Sequence, residues 1–310
     1  VVDPANDGQW SFCEPYITTW KHHVNRIGHP AHRYSDPIMR GFIKLQQEKG
    51  IEIAIEARAD INPNRNFNTA GVDDARLHLQ YVKRVYDLGG RADQWELDGM
   101  YTDYIQSGMS KEQATKAVVD YFRTLHEAHP EMRLYMLFNF PNWGWKGEYA
   151  YRTDNGDPMY MGDAYDVYYR VRGALRAANV PIAGISLDHP YEYTEGKINT
   201  NIMTSTGINV RKKDWYARIR EFEEVVHADG YEFLVIFNSQ NGGSNTEDLF
   251  AKSSAAFVET YLQKGGKPDG YTIQSWYENP KQWLPETDDT TMMGTMKRSI
   301  EKLIEAGVVK

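Results

Sequence analysis

Short segments that are apolar, or that alternate apolar and polar residues, recur along this chain, and each ends in or beside a polar residue. Six of them have the length and composition of buried β-strands. They cover residues 51–57, 93–97, 132–138, 181–187, 231–237 and 271–276. The fourth run stops at Asp188, His189 and Pro190, where proline cannot donate to a strand ladder. The pattern predicts six strands whose polar ends share one face.

Segments with helical periodicity and helix-capping residues separate these runs. The predicted helices cover residues 35–50, 72–88, 164–178, 213–228, 246–262 and 291–306. A further helix begins at Ser110, with Glu112 and Gln113 in its first turn. Because strands and helices alternate and no hairpin signals occur, we expect parallel strands joined by helical crossovers.

An open doubly wound sheet and a closed barrel both fit this alternation. No strand is followed by a phosphate-binding loop or a dinucleotide fingerprint, which favours the barrel. Irregular strands at residues 1–4 and 10–13 would bring the strand count to eight. We therefore predict an α/β fold of the (β/α)8 TIM type, with residues 1–310 as a single catalytic barrel domain.

Composition narrows the classes of partner. The 310 residues carry a net charge of −8, with acidic and basic residues mixed throughout, so no nucleic-acid surface is expected. No apolar run is long enough to span a membrane. Val1 is not an initiator methionine, and a secreted or periplasmic protein that lost a signal peptide is the expectation. Nothing in the sequence indicates an oligomeric state.

Metal and cofactor binding are not expected either. Four histidines lie between residues 20 and 35, but their spacing matches no pattern of metal ligands. The single cysteine, Cys13, excludes an internal disulfide framework. We therefore predict no metal and no cofactor.

A serine nucleophile is not expected either, because there is no Gly-x-Ser-x-Gly motif of the kind that carries one.

Carboxylates at strand ends are the chemistry that is left. In a TIM barrel the catalytic groups lie at the carboxyl ends of the strands. Counting eight strands, Asp98 ends the fourth, Asp188 the sixth and Glu278 the eighth. Cleavage of a glycosidic bond needs one protonated carboxyl and one ionised carboxylate. We predict a glycoside hydrolase that acts on a poly- or oligosaccharide with these three acids as catalytic residues, and we expect a retaining outcome.

Polar and aromatic residues near the same ends are predicted to bind the sugar. The chain has 21 Tyr, 11 Phe and 8 Trp, and flat rings suit the apolar faces of a pyranose. The loops at 142–145 and 277–283 are predicted to line a glycan groove. The predicted substrate-binding residues are Glu56, Arg58, Asn139, Trp143, Trp145, His189, Asn238, Gln240, Trp276, Tyr277 and Trp283.

One strand end resembles a known family. The segment Trp95-Glu96-Leu97-Asp98-Gly99 is similar to the tryptophan-x-aspartate-glycine strand end of α-fucosidases. The resemblance extends to α-galactosidase-like barrels and implies that Asp98 is a nucleophile on the fourth strand. It also implies that Asp188, on the sixth strand, is the acid/base. The large retaining clan with an Asn-Glu pair on the fourth strand is not matched, which puts the role of Glu278 in doubt.

Three other classes stay open. A polysaccharide lyase needs a base and a group that neutralises a uronate, and Arg58, His189 and Tyr191 could supply them. A non-catalytic carbohydrate-binding barrel would bind glycans without releasing a product. A metal-dependent hydrolase would lose activity with a chelator.

Overall fold

The chain is an α/β protein in which parallel strands alternate with helices. The structure is a computed structural model that describes residues 2–6, 8–59, 62–140, 143–152, 159–197 and 202–310. Its strands are β1 (Thr19–His23), β2 (Glu52–Arg58), β3 (Gln94–Asp98), β4 (Arg133–Asn139), β5 (Ala150–Arg152), β6 (Met159–Gly162), β7 (Gly184–Asp188), β8 (Ile202–Thr204), β9 (Glu232–Phe237) and β10 (Gly270–Ile273).

The helices lie mainly between consecutive parallel strands. They are α1 (Val24–Gly28), α2 (Asp36–Lys49), α3 (Ala70–Asp87), α4 (Met100–Gln106), α5 (Lys111–Ala128), α6 (Ala164–Ala177), α7 (Tyr191–Thr194), α8 (Trp215–Ala228), α9 (Gln240–Asn245), α10 (Glu247–Gln263) and α11 (Met292–Glu305). In the part of the chain that the structure describes, none of them is both long and apolar enough to cross a bilayer.

The chain divides into two compact units that interleave in sequence. We call them the Asp98 unit and the Asp188 unit. The Asp98 unit comprises Thr19–Gly184 and Asn201–Val210. The Asp188 unit comprises Val1–Thr18, Ile185–Thr200 and Arg211–Lys310.

In the Asp98 unit, four parallel strands lie in the order β1-β2-β3-β4. Side chains alternate between the two faces of a strand. Ile55 and Trp95 belong to one face, and both are fully buried in the apolar core. The other face is polar over most of its length. One face of this sheet therefore packs in the apolar core, and the other face carries charged and amide side chains.

The same unit contains a small antiparallel sheet in the order β6-β5-β8. Sequence analysis predicted none of these three short strands. They carry only three or four residues each, too few for a periodicity signal. Residues 153–158 and 198–201 lie outside the described residues.

In the Asp188 unit, three strands lie in the order β7-β9-β10, and β9 pairs with β10 in parallel. Helices α10 and α11 pack on each other. The loop before α11 holds the start of the chain. There the Glu286 carboxylate accepts hydrogen bonds from the backbone N–H groups of Phe12 and Cys13, both at 2.9 Å.

The six internal strands and the long helices predicted from the sequence are confirmed to within a few residues. The Ser110 capping box with Gln113 is also present. These elements could be predicted because each strand and helix has its own pattern of apolar residues, and the helices also have capping residues. The parallel alternation of strands and helices is that of a TIM-like fold.

The two predicted amino-terminal strands are wrong. The described residues before β1 form short 3-10 helices at Pro4–Asn6 and Glu14–Tyr16, together with turns. A ladder is not available to this segment because its N–H groups bond to Glu286 and to local carbonyls. The first strand is instead β1, and the described residues contain seven strands of the parallel type rather than eight.

Strand β1 escaped sequence analysis because a histidine occupies one of its buried positions. His22 is 2% exposed and packs edge-on against Phe42, with ring centroids 4.4 Å apart. Burial lowers the pKa of His22 to about 3, so the ring is neutral and acts as a core aromatic. With β1 as the first strand, Asp98 ends the third parallel strand and Asp188 the fifth. The strand numbers on which the α-galactosidase resemblance relied are therefore wrong.

Candidate active site

Asp98 is the last residue of β3 and is largely buried. Its side chain is 15% exposed, and the next residue, Gly99, has φ of +52°. This left-handed conformation suits glycine and turns the chain directly into α4. Asp98 lies opposite Arg58 in the β2–β3 register, and the Nη1 atom of Arg58 is 3.5 Å from the Oδ2 atom of Asp98.

Arg58 is bound more tightly to a second acid. Its Nε and Nη2 atoms each donate to the Asp103 carboxylate at 2.7 Å, which is a bidentate pair. Asp103 lies on α4 and is fully buried. The hydrogen bonds to Asp103 raise the pKa of Arg58 above its usual value. The guanidinium charge is thus shared between two acids, and Asp103 takes the better geometry.

The result is a carboxyl group that holds a proton unusually well. Burial raises the pKa of Asp98 to about 6, and the negative charges of Asp103 and Glu96 act in the same direction. The positive charges of Arg58 and Lys21 oppose this shift without cancelling it. Near pH 6 about half of the Asp98 side chains carry a proton. Asp98 can therefore donate a proton in mildly acidic solution, as a general acid must.

A second layer of charge lies on the same face of the sheet, two residues earlier along each strand. Glu56 on β2 is opposite Glu96 on β3, and both are buried. Lys21 on β1 bridges them, with its Nζ atom 2.9 Å from the Oε2 atom of Glu96 and 3.8 Å from the Oε2 atom of Glu56. Glu56, predicted to bind substrate, thus lies in a buried ion-pair network with Lys21 and Glu96.

Asp188 ends β7 in the Asp188 unit and is also buried. The amide nitrogen of Asn238 donates to its Oδ1 atom at 2.5 Å. An N–H donor at this distance stabilises negative charge on the oxygen that accepts it. His189 follows Asp188, is fully buried and packs against Trp215, with its Nδ1 atom 2.8 Å from the Thr194 hydroxyl. His189 is therefore placed as a support for this strand end.

The loops after β7 and β9 are hydrogen-bonded to each other, which fixes Asn238. The backbone N–H of Tyr191 donates to the carbonyl of Asn238 at 3.0 Å. The buried Glu192 carboxylate accepts from the Ser239 hydroxyl and, at 3.1 Å, from the backbone N–H of Gln240. Gln240 is the first residue of α9. Asn238 thus reaches Asp188 from a backbone that two hydrogen-bonded loops hold in place.

Two exposed tryptophans follow β10 in the same unit. Trp276 is 41% exposed and Trp283 is 49% exposed. Between them, Tyr277 packs on Gly243 of α9, where the closest ring atom would lie 2.7 Å from any added Cβ. Asn279 donates from its backbone N–H to the carbonyl of Gly243 at 2.9 Å. The segment is anchored on α9 while both indole rings offer surface for stacking.

Glu278 lies in this segment and is exposed. It is five residues beyond the end of β10 at Ile273, so the prediction that it ends a strand is wrong. Its side chain is 76% exposed, and its nearest cation is Lys281 at 3.8 Å. A solvated ion pair of this kind has little influence on its neighbours. Of the three acids predicted to be catalytic, Glu278 is the one that the protein does not bury.

The predicted aromatic groove at 142–145 has a different environment. Trp143 is 3% exposed and packs against Phe138, and Trp145 is 7% exposed and packs edge-on against Tyr165. Asn142 lies outside the described residues. The burial of Trp143 and Trp145 counts against an exposed stacking surface in this loop. Asn139, at the end of β4, has a buried Oδ1 atom with no hydrogen-bond partner among the described residues.

Sequence analysis missed two charged residues of the Asp98 unit. Asp103 follows Asp98 by five residues, and this proximity in sequence was its only available signal. Lys21 lies in the strand that was not predicted. Both act on Asp98, Lys21 from another strand and Asp103 from the following helix. Their importance depends on register, which single-strand patterns do not contain.

No protein-family model matches the chain, and no curated protein matches it. Solved structures do. An active domain of a thermostable chitinase from Pyrococcus furiosus is 8% identical, with 97% of this chain and 90% of that chain covered and a TM-score of 0.49. The glycoside hydrolase domain of PelA from Pseudomonas aeruginosa is 12% identical over 82% of this chain and 93% of that chain, with a TM-score of 0.44.

The catalytic domain of Cellulomonas fimi Cel6B is 15% identical, with 79% of this chain covered and a TM-score of 0.43. This chain spans 62% of the length of that structure. The narrower resemblance to α-galactosidases and α-fucosidases receives no support from these neighbours.

Proposed function

We propose that this chain is a glycoside hydrolase that cleaves a poly- or oligosaccharide, with Asp98 as the proton donor. The observation that carries the proposal is the setting of Asp98, a largely buried strand-end carboxyl whose neighbour Arg58 is held bidentately by Asp103. Burial raises the pKa of Asp98 to about 6. Protonation of a glycosidic oxygen needs a carboxyl that is still protonated at the working pH. This role differs from the nucleophile that the α-fucosidase resemblance implied for Asp98.

Asp188 is the proposed ionised carboxylate. It is buried, ends a parallel strand, and accepts a hydrogen bond from Asn238 at 2.5 Å. Such a carboxylate either attacks the sugar or activates a water molecule, and the first choice gives retention of anomeric configuration. We propose retention, together with closure of the strands into a TIM-type barrel.

Exposed residues that follow β10 are proposed to bind substrate. The exposed rings of Trp276 and Trp283 suit the apolar faces of sugars. Glu278 is assigned to contact with sugar hydroxyls rather than to proton transfer, because it is solvated. Arg58 and Asn238 are proposed to orient the two aspartates. A partner other than carbohydrate is not proposed.

The deciding experiment is incubation with a panel of polysaccharides, followed by detection of released oligosaccharides as a function of pH. Because Asp98 must be protonated, kcat/KM should fall about tenfold per pH unit above about pH 6. The anomeric configuration of the first product, read by NMR, reports retention or inversion. An unsaturated product that absorbs ultraviolet light would indicate a lyase instead. Binding without any product would indicate a non-catalytic carbohydrate-binding protein.

A further inference from the structure

We propose that Lys21 is a positioning residue that sets the charge state of Asp98 by neutralising the two buried glutamates on the same face of the sheet. The proposal rests on the proposed function for the catalytic use of Asp98. Its electrostatic part is measurable without a substrate. In this proposal Lys21 and the two glutamates act through Asp98 rather than on the substrate.

The geometry is that of a buried cation between two acids. The side chains of Lys21, Glu56 and Glu96 are 10%, 3% and 2% exposed. Glu56 and Glu96 face each other in adjacent strands, where two like charges repel. Lys21 bonds to Glu96 at 2.9 Å and lies 3.8 Å from Glu56. The ammonium group of Lys21 offsets the repulsion between these two carboxylates.

This charged layer lies close enough to act on Asp98. Glu96 and Asp98 are two residues apart on one strand, so their side chains share a face and lie about 7 Å apart. At this separation in a partly buried setting, one unit charge shifts a pKa by about one unit. Lys21 lowers the pKa of Asp98 and Glu96 raises it, so the pair works in opposition.

The other charges that face Asp98 do not replace Lys21. Arg58 on β2 is bound bidentately to Asp103 on α4. On β4, the residue opposite Asp98 in register is Leu137, which carries no charge. From β1 the positive charge is that of Lys21, and His23, in register with Glu56, has its pKa lowered mainly by burial. The balance at Asp98 is thus set by two cations, Arg58 and Lys21, against the neighbouring acids.

The test is a titration of the Asp98 carboxyl carbon by 13C NMR, with the resonance assigned through Asp98→Asn. Glu96→Gln should lower the pKa of Asp98 by about one unit, and Lys21→Met should raise it by a similar amount. The double variant should return it close to the wild-type value. If Lys21→Met does not fold, the Glu96→Gln variant and the double variant still measure the effect of the ammonium group.

The matched control is Lys83→Met, which removes an exposed lysine paired with Asp87 on α3 of the same unit. It should leave the Asp98 titration unchanged. The proposal is overturned if Glu96→Gln leaves the Asp98 pKa unmoved, or if removal of Lys21 fails to raise it in either background.

Catalysis is read separately. If Asp98 is the proton donor, the alkaline limb of the kcat/KM profile moves in the direction of the NMR pKa in each variant. A pKa that moves while the limb stays in place supports the role of Lys21 and refutes Asp98 as the donor. The two failures are therefore distinguishable.

Discussion

The two strand-end aspartates are buried in different chemical surroundings. Asp98 lies among charges, next to an arginine that a second acid already holds by two bonds. Asp188 receives a short hydrogen bond from a neutral amide whose backbone is locked by neighbouring loops. The first arrangement leaves a carboxyl that retains its proton, and the second supports a negative oxygen. Equivalent positions at strand ends therefore acquire different chemistry from their neighbours.

The largest expected effect is on catalysis. Asp98→Asn and Asp188→Asn should each lower kcat by about two to four orders of magnitude, because each removes a group that acts in the transition state. Glu278→Gln is the contrast and should cost less than about tenfold, since it breaks only a solvated ion pair. Rates of oligosaccharide release measure all three. A rate within about tenfold of wild type for either aspartate variant contradicts its assignment.

The next effect separates the charged surroundings from the neutral ones. Arg58→Met removes the bidentate partner of the fully buried Asp103 and should destabilise folding by about 2–4 kcal/mol. Asn238→Ala removes a neutral donor from Asp188 and should cost about 1–3 kcal/mol. Urea unfolding of both variants gives the comparison. A larger loss for Asn238→Ala would mean that the hydrogen-bonded loops, rather than the charges, dominate stability.

A pH dependence of stability sharpens the difference further. The pKa of Asp98 is raised from 3.8 in the unfolded chain to about 6 in the folded protein. The stabilisation of the folded protein by this protonated carboxyl is therefore fully present below pH 3.8 and is lost as the pH rises through about 6. Asp98→Asn removes this loss. Relative to wild type, the variant should gain about 2–3 kcal/mol of unfolding free energy between pH 3 and pH 8. Equal differences at both pH values would show that Asp98 is not penalised for ionising.

The smallest effect concerns the exposed rings of the Asp188 unit. Trp283→Ala should weaken polysaccharide binding about fivefold to tenfold and change the unfolding free energy by less than about 1 kcal/mol, because half of the ring is already in water. Trp143→Ala is the contrast in the Asp98 unit. Its ring is buried against Phe138, so its loss should appear in thermal stability first. Unchanged affinity in Trp283→Ala would remove that ring from the binding surface.

Local patterns were enough for most elements of the fold. The strand that ends at Asp98 was recognisable from the alternation of Trp95 and Leu97 with polar residues, and the helix after Ser110 from its capping box. Local sequence patterns did not predict the structure of segments that lack a periodic pattern of apolar residues. Strand β1 hides a histidine in the core, and the segment around Cys13 bonds to Glu286, a residue 273 positions away.

The amino-acid sequence by itself determined that Asp98 and Asp188 stand at strand ends, because a strand that leaves the core must become polar where it meets a loop. It also placed aromatic residues in the loops. Only the tertiary structure decided which rings are exposed, burying Trp143 and leaving Trp283 in solvent. It alone decided the state of Asp98, since Lys21, Arg58 and Asp103 come from three other elements. The affinity of a carboxyl group for a proton depends on its distance from every charge within several ångströms. Strand register, rather than the order of residues along the chain, sets those distances.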